Sequence, residues 1–332
     1  MSRRITIGVL VPTHGEVPTD PPESRPIGRA AISLGSSGID VIFGDEVKGG
    51  RISGYRAVVG GWEAAESVPL DAAHDRFPSQ LRAQRYAAIM SGLGTLPLGN
   101  PRAFTMLCRD KLETQRVLSA QGVKMPPVSA DPSEFPEQLE QWGSAFLKPR
   151  YGALGIGVTR VIPGDATPTT LPGVVPDRPD PSILQAAVLP PEGWCSRTVR
   201  VLIQREPEGG WWMGTPVVRQ SRSDHVANAA RGAQVAPGDQ VLGARTLDRL
   251  ADATRGLTVA LDAIDPEGLA LEAGADFVLD ADHEPWLIEL NSRPRGRMEV
   301  LSSRDPKRYQ AAHVMACARP ILRLAAALEL TH

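Results

Sequence analysis

The chain has 332 residues, 42% of them hydrophobic, which is enough to bury a core and to form more than one domain of ordinary size. Its 36 Lys and Arg nearly balance 38 Asp and Glu, so the net charge of −2 supplies no general attraction to nucleic acid or to a membrane surface. Three separated cysteines, Cys108, Cys195 and Cys317, show neither metal-ligand spacing nor a disulfide framework and fit a reducing compartment.

The basic start leads into an apolar run, Ile5 to Val11, too short for a signal-peptide core. No stretch approaches the roughly 20 apolar residues of a membrane span, so a cytoplasmic location is expected. Residues 5–11, 39–43 and 57–60 read as buried parallel strands with helical stretches such as 27–36 between them, giving an α/β lobe to about residue 100. Gln80–Leu93 has helical spacing, and GTLPLGNP (94–101) is a Gly- and Pro-punctuated connection. Residues 103–121 predict one amphipathic helix ended by Gly122. A strand at 145–149, a glycine-rich loop at 151–157 and a strand at 158–162 follow, then a Pro-rich surface loop from Pro163 to Pro181. Strands are expected at 183–188, 198–204, 211–219, 275–279 and 286–290, with helices at about 244–261 and 307–328.

Three groups of residues carry chemistry. ADFVLDADHEPWLIELNSRP reads as a β-hairpin with Asp276 on its first strand and Glu289 and Asn291 on its second. Positions i and i+2 share a face of a strand, so two carboxylates and an amide oxygen converge in a set suited to Mg²⁺; solvated residues on an edge strand are the plainer alternative. In FLKPRYGALGIGV, Lys148 closes a strand before Gly152, Gly155 and Gly157, whose exposed N–H groups suit phosphate oxygens, against an ordinary β-hairpin with an outward lysine. Lys111 at a helix start is a second phosphate candidate, against an ordinary solvated lysine. Arg197, Arg200, Arg219, Arg222 and Arg231, with Asn228, form a basic cluster. Arg200 and Arg219 lie in apolar strands, where a guanidinium needs a phosphate, a substrate carboxylate or an internal acid. His74 and His225 read as exposed surface residues, and no Ser/His/Asp or Cys/His constellation is evident.

In order along the chain, Lys111, Lys148 with its glycine loop, Arg200 and Arg219, NAARG (228–232) and the D…ExN hairpin resemble the ATP-grasp enzymes. The DADHEPWLIELNSRPRGR ending and HDRFPSQ…LPLGNP resemble most the YheC/YheD type, called endospore coat-associated proteins. Ribosomal-protein glutamate ligases and D-alanine–D-alanine ligase are looser resemblances. The resemblance implies an α/β chain, α+β in its ATP-binding part: an ATP-grasp fold with a pre-grasp lobe at 1–100, a lid subdomain at 101–190 and a C-terminal subdomain at 191–332.

It also implies ATP and Mg²⁺ as cofactors. Lys111 and Lys148 would hold the phosphates under the loop of Gly152, Gly155 and Gly157, and Asp276, Glu289 and Asn291 would hold the metal. The adenine would meet the backbone at Gln185–Val188, with Gln185, Ala187 and Val188 as contacts. Ala186 replaces a common acidic side chain there, and Thr198 replaces an Asp that often precedes the first arginine. Glu192 is the candidate for the ribose hydroxyls, against an exposed turn residue. Arg219, Asn228 and Arg231, with Arg200, would stabilise an acyl phosphate and its tetrahedral successor. The implied activity is an ADP-forming ligase joining a carboxylate to an amine or peptide, with no nucleic-acid or membrane partner. A nucleotide-binding structural or regulatory protein and a small-molecule kinase are the alternatives. The substrate pocket is expected between the first lobe and the Arg-rich strands near Arg293, Arg295 and Arg297, which suit a carboxylate or peptide terminus and equally a solvated basic turn; the oligomeric state is not legible.

Overall fold

In the computed structural model the described residues are 4–13, 17–78, 82–152, 155–173, 179–227, 232–294 and 298–329. The apolar run after the basic start becomes β1 (Ile5–Leu10), followed by α1 (Pro26–Ser36), β2 (Ile39–Lys48), β3 (Arg51–Val58), β4 (Gly61–Pro69), β5 (Ala72–Asp75), α2 (Ala83–Leu93) and β6 (Leu98–Gly99). They form one sheet in the order β4-β3-β2-β1-β5-β6, in which β1 runs parallel to β2 and β5. The expected parallel strand at 57–60 is instead the end of β3 and the turn after it. β3 returns from β2 through Gly49 (φ 54°) and Gly50 (φ 71°) and pairs antiparallel with β2, because two left-handed residues in succession suit a tight reversal.

The amphipathic segment 103–121 is two helices, α3 (Arg102–Arg109) and α4 (Lys111–Ala120). Asp110 between them is extended (φ −89°, ψ 99°), and its carboxylate accepts the Glu113 N–H at 3.2 Å. An aspartate that satisfies a free amide in this way starts a new helix rather than continuing the old one.

A second, antiparallel sheet follows, from β7 (Val128–Ser129), α5 (Phe135–Trp142), β8 (Ala145–Pro149), β9 (Thr159–Val161), β10 (Thr170–Leu171) and β11 (Asp180–Ala186). Its order is β10-β11-β8-β9, with β7 also on β11. Phe135 and Leu139 of α5 pack on Ala145, Leu147 and Leu184, leaving the opposite face of β8 and β11 open. The segment 163–181, expected to be loop, contributes β10, and Leu171 is buried against the same core; residues 174–178 lie outside the described residues.

The third sheet takes β12 (Ser196–Arg205), β13 (Trp211–Met213), β14 (Val217–Ser221), β15 (Gln234–Pro237), β16 (Glu272–Leu279) and β17 (Pro285–Asn291), accompanied by α6 (Gly238–Val241), α7 (Ala244–Ile264), α8 (Glu299–Arg304) and α9 (Pro306–Glu329). The expected strand 211–219 is broken between β13 and β14, where Pro216 has no N–H to offer a ladder. Leu250, Leu257 and Leu261 of α7 pack with Val199, Val201, Phe277 and Leu287 on one face of this sheet. The other face looks toward the second sheet.

Packing crosses the boundaries expected at 100 and 190. Phe104, Cys108 and Leu118 of α3 and α4 join the core of the third sheet. Cys317, Ile321 and Leu324 of α9 join Ile7, Val9 and Leu34 in the first. By length and composition α9 is apolar enough to cross a membrane, although no such stretch was expected, and half of it is buried in the fold.

Candidate active site

A cavity of about 730 Å³ lies between the second and third sheets and reaches the first, a size that takes a small molecule. Its floor follows from strand alternation. On β12, Thr198 and Arg200 face the cavity and Val199 and Val201 face the core. On β16, Asp276 lies directly across from Arg200 and also across from Glu289 of β17.

That last juxtaposition depends on a β-bulge. Phe277 pairs with Leu287, but Asp276 pairs with Glu289, so Ile288 is the extra residue. Leu287 and Leu290 point into the core, whereas Ile288, Glu289 and Asn291 line the cavity. Plain alternation would put Glu289 on the same face as the core residue Leu287. The bulge turns the carboxylate to the other face.

The floor is charged and internally paired. Arg200 grips Asp276 with two hydrogen bonds, Nε at 2.7 Å from Oδ1 and Nη2 on Oδ2. Arg219 lies 3.8 Å from the same carboxylate, and Asn291 donates to it at 3.2 Å. Burial alone would lower the Arg200 guanidinium, but Asp276 holds it above its ordinary value. Arg219 is lowered by burial and by Arg200 beside it.

The opposite wall carries two lysines. Lys148 and Gln185 occupy the open face of β8 and β11, and the ammonium donates to Gln185 Oε1. Burial, with Lys111 close by, pulls Lys148 down to about 7 against the opposing influence of Glu289. Lys111 is the first residue of α4, so the Asp110 cap fixes where its side chain starts. It donates to Gly152 O and lies 3.9 Å from Glu289 Oε1; burial lowers it too, with Glu289 the leading opposing charge. The base of the glycine loop is tied to the same helix start: Arg150 bonds Asp110 at 2.6 and 2.8 Å, and Arg150 O accepts the Lys111 N–H at 3.2 Å.

Of the expected site residues, Lys111, Lys148, Gly152, Gly155, Gln185, Val188, Arg200, Arg219, Asp276, Glu289 and Asn291 all line this one cavity. Gly157 and Ala187 do not. A Cβ on Gly157 would come 2.9 Å from the Pro149 ring, so that glycine is required by packing. The amides of Ala186 and Ala187 are taken by Pro127 O and Ser144 O, both at 3.0 Å. Glu192 is exposed in a turn outside the cavity lining, contrary to the role expected of it. Arg197, expected in the basic cluster with Arg200 and Arg219, is turned by alternation to the far face, where it donates to Val241 O at 2.8 Å and, with Arg222, flanks Trp194. Asn228, Arg231, Arg295 and Arg297 lie outside the described residues.

His74, expected at the surface, is 1% exposed and lies 3.2 Å from the buried Glu272. The strand holding it, β5, is too short and polar (AAHD) to stand out as apolar. The next residue, Arg76, lines the cavity and was not singled out; only the pairing of β5 beside β1 brings it there.

Asp276, Glu289 and Asn291 offer oxygen donors on one surface, and this set fits a hard divalent cation such as Mg²⁺. Among the described residues no group of three or more His, Cys, Asp or Glu side chains is placed to hold a metal. A cation here would therefore draw its remaining ligands from water or phosphate.

Two antiparallel sheets facing each other across a lysine- and carboxylate-lined cavity, with an α/β lobe beside them, are the ATP-grasp fold. D-alanyl-alanine synthetase A from Vibrio cholerae superposes with a TM-score of 0.55 at 12% identity, covering 97% of this chain and 99% of that one. The VanG D-Ala:D-Ser ligase from Enterococcus faecalis gives 0.56 at 13%, with the same coverage. N5-carboxyaminoimidazole ribonucleotide synthetase from Thermotoga maritima gives 0.53 at 11%, covering 89% and 71%. Residues 196–316 match the family model described as YheC/D like ATP-grasp. A D-alanine–D-alanine ligase from Mycolicibacterium vanbaalenii is 30% identical over 198 residues, 56% of this chain, and the match spans half the length of that relative.

Proposed function

We propose that the protein is an ATP- and Mg²⁺-dependent ligase that activates a carboxylate as an acyl phosphate and passes it to an amine, releasing ADP. The observation carrying this reading is the meeting of two element sets at one point. Lys111 of the lysine wall lies 3.9 Å from Glu289 of the hairpin, with Lys148 and Asp276 on either side of the same cavity.

In this reading Lys111 and Lys148 bind the nucleotide phosphates, beside Gly152 and Gly155 in the same cavity lining. Asp276, Glu289 and Asn291 would hold Mg²⁺, which supplies charge stabilisation at the transferring phosphoryl group. Arg219 and Arg200 place fixed positive charge where the acyl phosphate and the later tetrahedral oxyanion develop, so little reorganisation is needed during reaction. Closing the two walls excludes water, which would otherwise hydrolyse the acyl phosphate.

Purified protein given ATP, Mg²⁺ and pooled amino acids and short peptides should release ADP only when a substrate is present. Hydroxylamine should then trap a hydroxamate. ADP release without a hydroxamate would turn the reading toward a kinase, and nucleotide affinity without any turnover toward a binding protein.

A further inference from the structure

Two arginines flank one aromatic ring at the base of the glycine loop. The Arg150 guanidinium lies 5.2 Å and the Arg109 guanidinium 5.7 Å from the centre of the Tyr151 ring. Their charges are answered differently. Arg150 is held by both oxygens of Asp110, at 2.8 and 2.6 Å. Arg109 is the last residue of α3, and among the described residues its side chain makes no hydrogen bond or ion pair; its Nε is buried without a partner. The acid beside it in sequence, Asp110, is taken by Arg150 and the Glu113 N–H. On the cavity floor Asp276 is taken by Arg200 and Asn291, and Glu289 faces Lys111 at 3.9 Å. A partly buried guanidinium with an unmet donor is costly unless a further group completes it.

Arg109 lines the cavity, and its place there is fixed from both ends of α3. Thr105, about one turn earlier and also in the lining, donates to Asn100 O at 3.3 Å. The Asn100 amide donates to the carbonyl of Ser292, the residue after Asn291, so the start of α3 is pinned to the end of the hairpin. The other end runs through Asp110 into Lys111, which donates to Gly152 O. Arg109 on the Tyr151 ring and Lys111 on the next carbonyl therefore bracket the first residues of the glycine loop, on the side where Lys111 meets Glu289. An anion that reaches both cations must present several acceptor oxygens in different directions. A terminal phosphoryl group has three; a carboxylate has two, in one plane.

We propose that Arg109 is a catalytic residue that grips the terminal phosphoryl group of the nucleotide during its transfer to the substrate. This rests on the ligase reading for the direction of transfer, although the contact itself is testable without turnover. In the step, a carboxylate oxygen bonds to the γ-phosphorus while the bond from that phosphorus to the ADP oxygen breaks, and the electron pair leaves with ADP. Arg109 gives up no proton. Its planar fork spans two of the equatorial oxygens over which negative charge is spread in the transition state. Tyr151 holds the guanidinium in place from behind without neutralising it, because a ring face attracts a cation and carries no charge of its own.

The test titrates the full chain, with Mg²⁺, against ADP and against an ATP analogue whose β,γ-bridge cannot be cleaved. Arg109→Gln should weaken the analogue roughly tenfold to a hundredfold, the scale of a charge-assisted hydrogen bond, and change ADP by less than about twofold. Substrate-dependent ADP release should fall roughly a hundredfold, and added ethylguanidinium should partly restore it in Arg109→Ala. Arg109→Lys keeps the charge but not the fork and should fall between. Tyr151→Leu removes the ring and keeps the charge, so the preference for the analogue over ADP should survive it. A merely structural role would make Arg109→Gln and Tyr151→Leu alike: both nucleotides weakened together, a lower melting temperature and no rescue. That result, or analogue binding unchanged in Arg109→Gln, overturns the proposal. Wild-type ADP release in Arg109→Gln would sink the catalytic role and keep the ligase. A wild-type protein that never releases ADP, with analogue binding still lost selectively in Arg109→Gln, would sink the ligase and keep Arg109 on the terminal phosphate. If neither nucleotide binds the wild type, both fall.

Discussion

The two walls of the cavity solve opposite electrostatic problems. On the lysine wall, Lys148 donates to an amide oxygen and Lys111 to a backbone carbonyl; the carboxylate of Glu289 is 3.9 Å from Lys111. Both ammonium groups are lowered by burial. On the hairpin wall, Arg200 and Asp276 neutralise each other. The first wall is set in place ahead of its ligand, its buried lysines held below their ordinary values at a cost in stability, as preorganised anion sites are. The second is satisfied in the absence of ligand and must exchange partners when a cation enters.

The largest effects should come from removing one member of each wall. Lys148→Ala and Glu289→Ala should each lower substrate-dependent ADP release by roughly a hundredfold to a thousandfold, the range for one preorganised electrostatic group, in proteins that remain folded. Wild-type turnover in either variant would discard the site assignment.

Stability should then separate the walls by sign. Arg200→Gln leaves Asp276, 8% exposed, without its bidentate partner and should cost about 2–3 kcal/mol in denaturant unfolding. The same change releases Asp276 oxygens, so Mn²⁺ affinity of the nucleotide-free protein, read by electron paramagnetic resonance, should rise. Lys148→Met does the opposite: it replaces a buried ammonium by an apolar chain of similar shape and should stabilise by about 1 kcal/mol. Its nucleotide affinity should nevertheless fall roughly tenfold or more. If both substitutions destabilise equally, the contrast between the walls is wrong.

Much of this arrangement was legible from residue types and order, and the parts that were not have identifiable causes. Lys148 stood out because a lysine in an apolar strand before a glycine-rich turn is unusual, and Asp276, Glu289 and Asn291 because acids interrupt an apolar hairpin. The bulge at Ile288 was not legible, since WLIEL reads as ordinary alternation and the shifted register exists only in the pairing with β16. The break at Asp110 was missed because apolar periodicity continues through it, although an aspartate three residues before Glu113 is a capping signal. Arg76 and Glu272, 196 residues apart, meet only through sheet topology. The glycines are only partly informative, because Gly157 lies outside the cavity lining and a Cβ there or on Gly152 would meet Pro149. Residue types that share one strand are readable from spacing, whereas the register shift that sets Glu289 opposite Asp276, and chemistry assembled across sheets, are not.

The smallest expected effect is a pH dependence, and its sign tests the lysine wall most directly. Lys148 titrates at about 7 in the folded protein against an ordinary 10.5. Between those values the unfolded chain holds a proton that the folded chain lacks, so unfolding free energy should rise with pH across that window. The stabilising contribution is complete above 10.5 and lost as pH falls through 7. Nucleotide binding should run the other way. Phosphate beside the ammonium favours its protonated form, so binding takes up a proton, and affinity for ADP should fall severalfold from pH 7 to pH 8, at most about tenfold per unit for one proton. Titration calorimetry in two buffers of different ionisation enthalpy measures that uptake directly. In Lys148→Met the uptake should shrink to whatever Lys111 contributes, because Lys111 is lowered as well. A wild-type protein that binds ADP with no proton uptake near pH 7 would mean that Lys148 is already charged before the ligand arrives, and the two walls would then differ in geometry but not in charge.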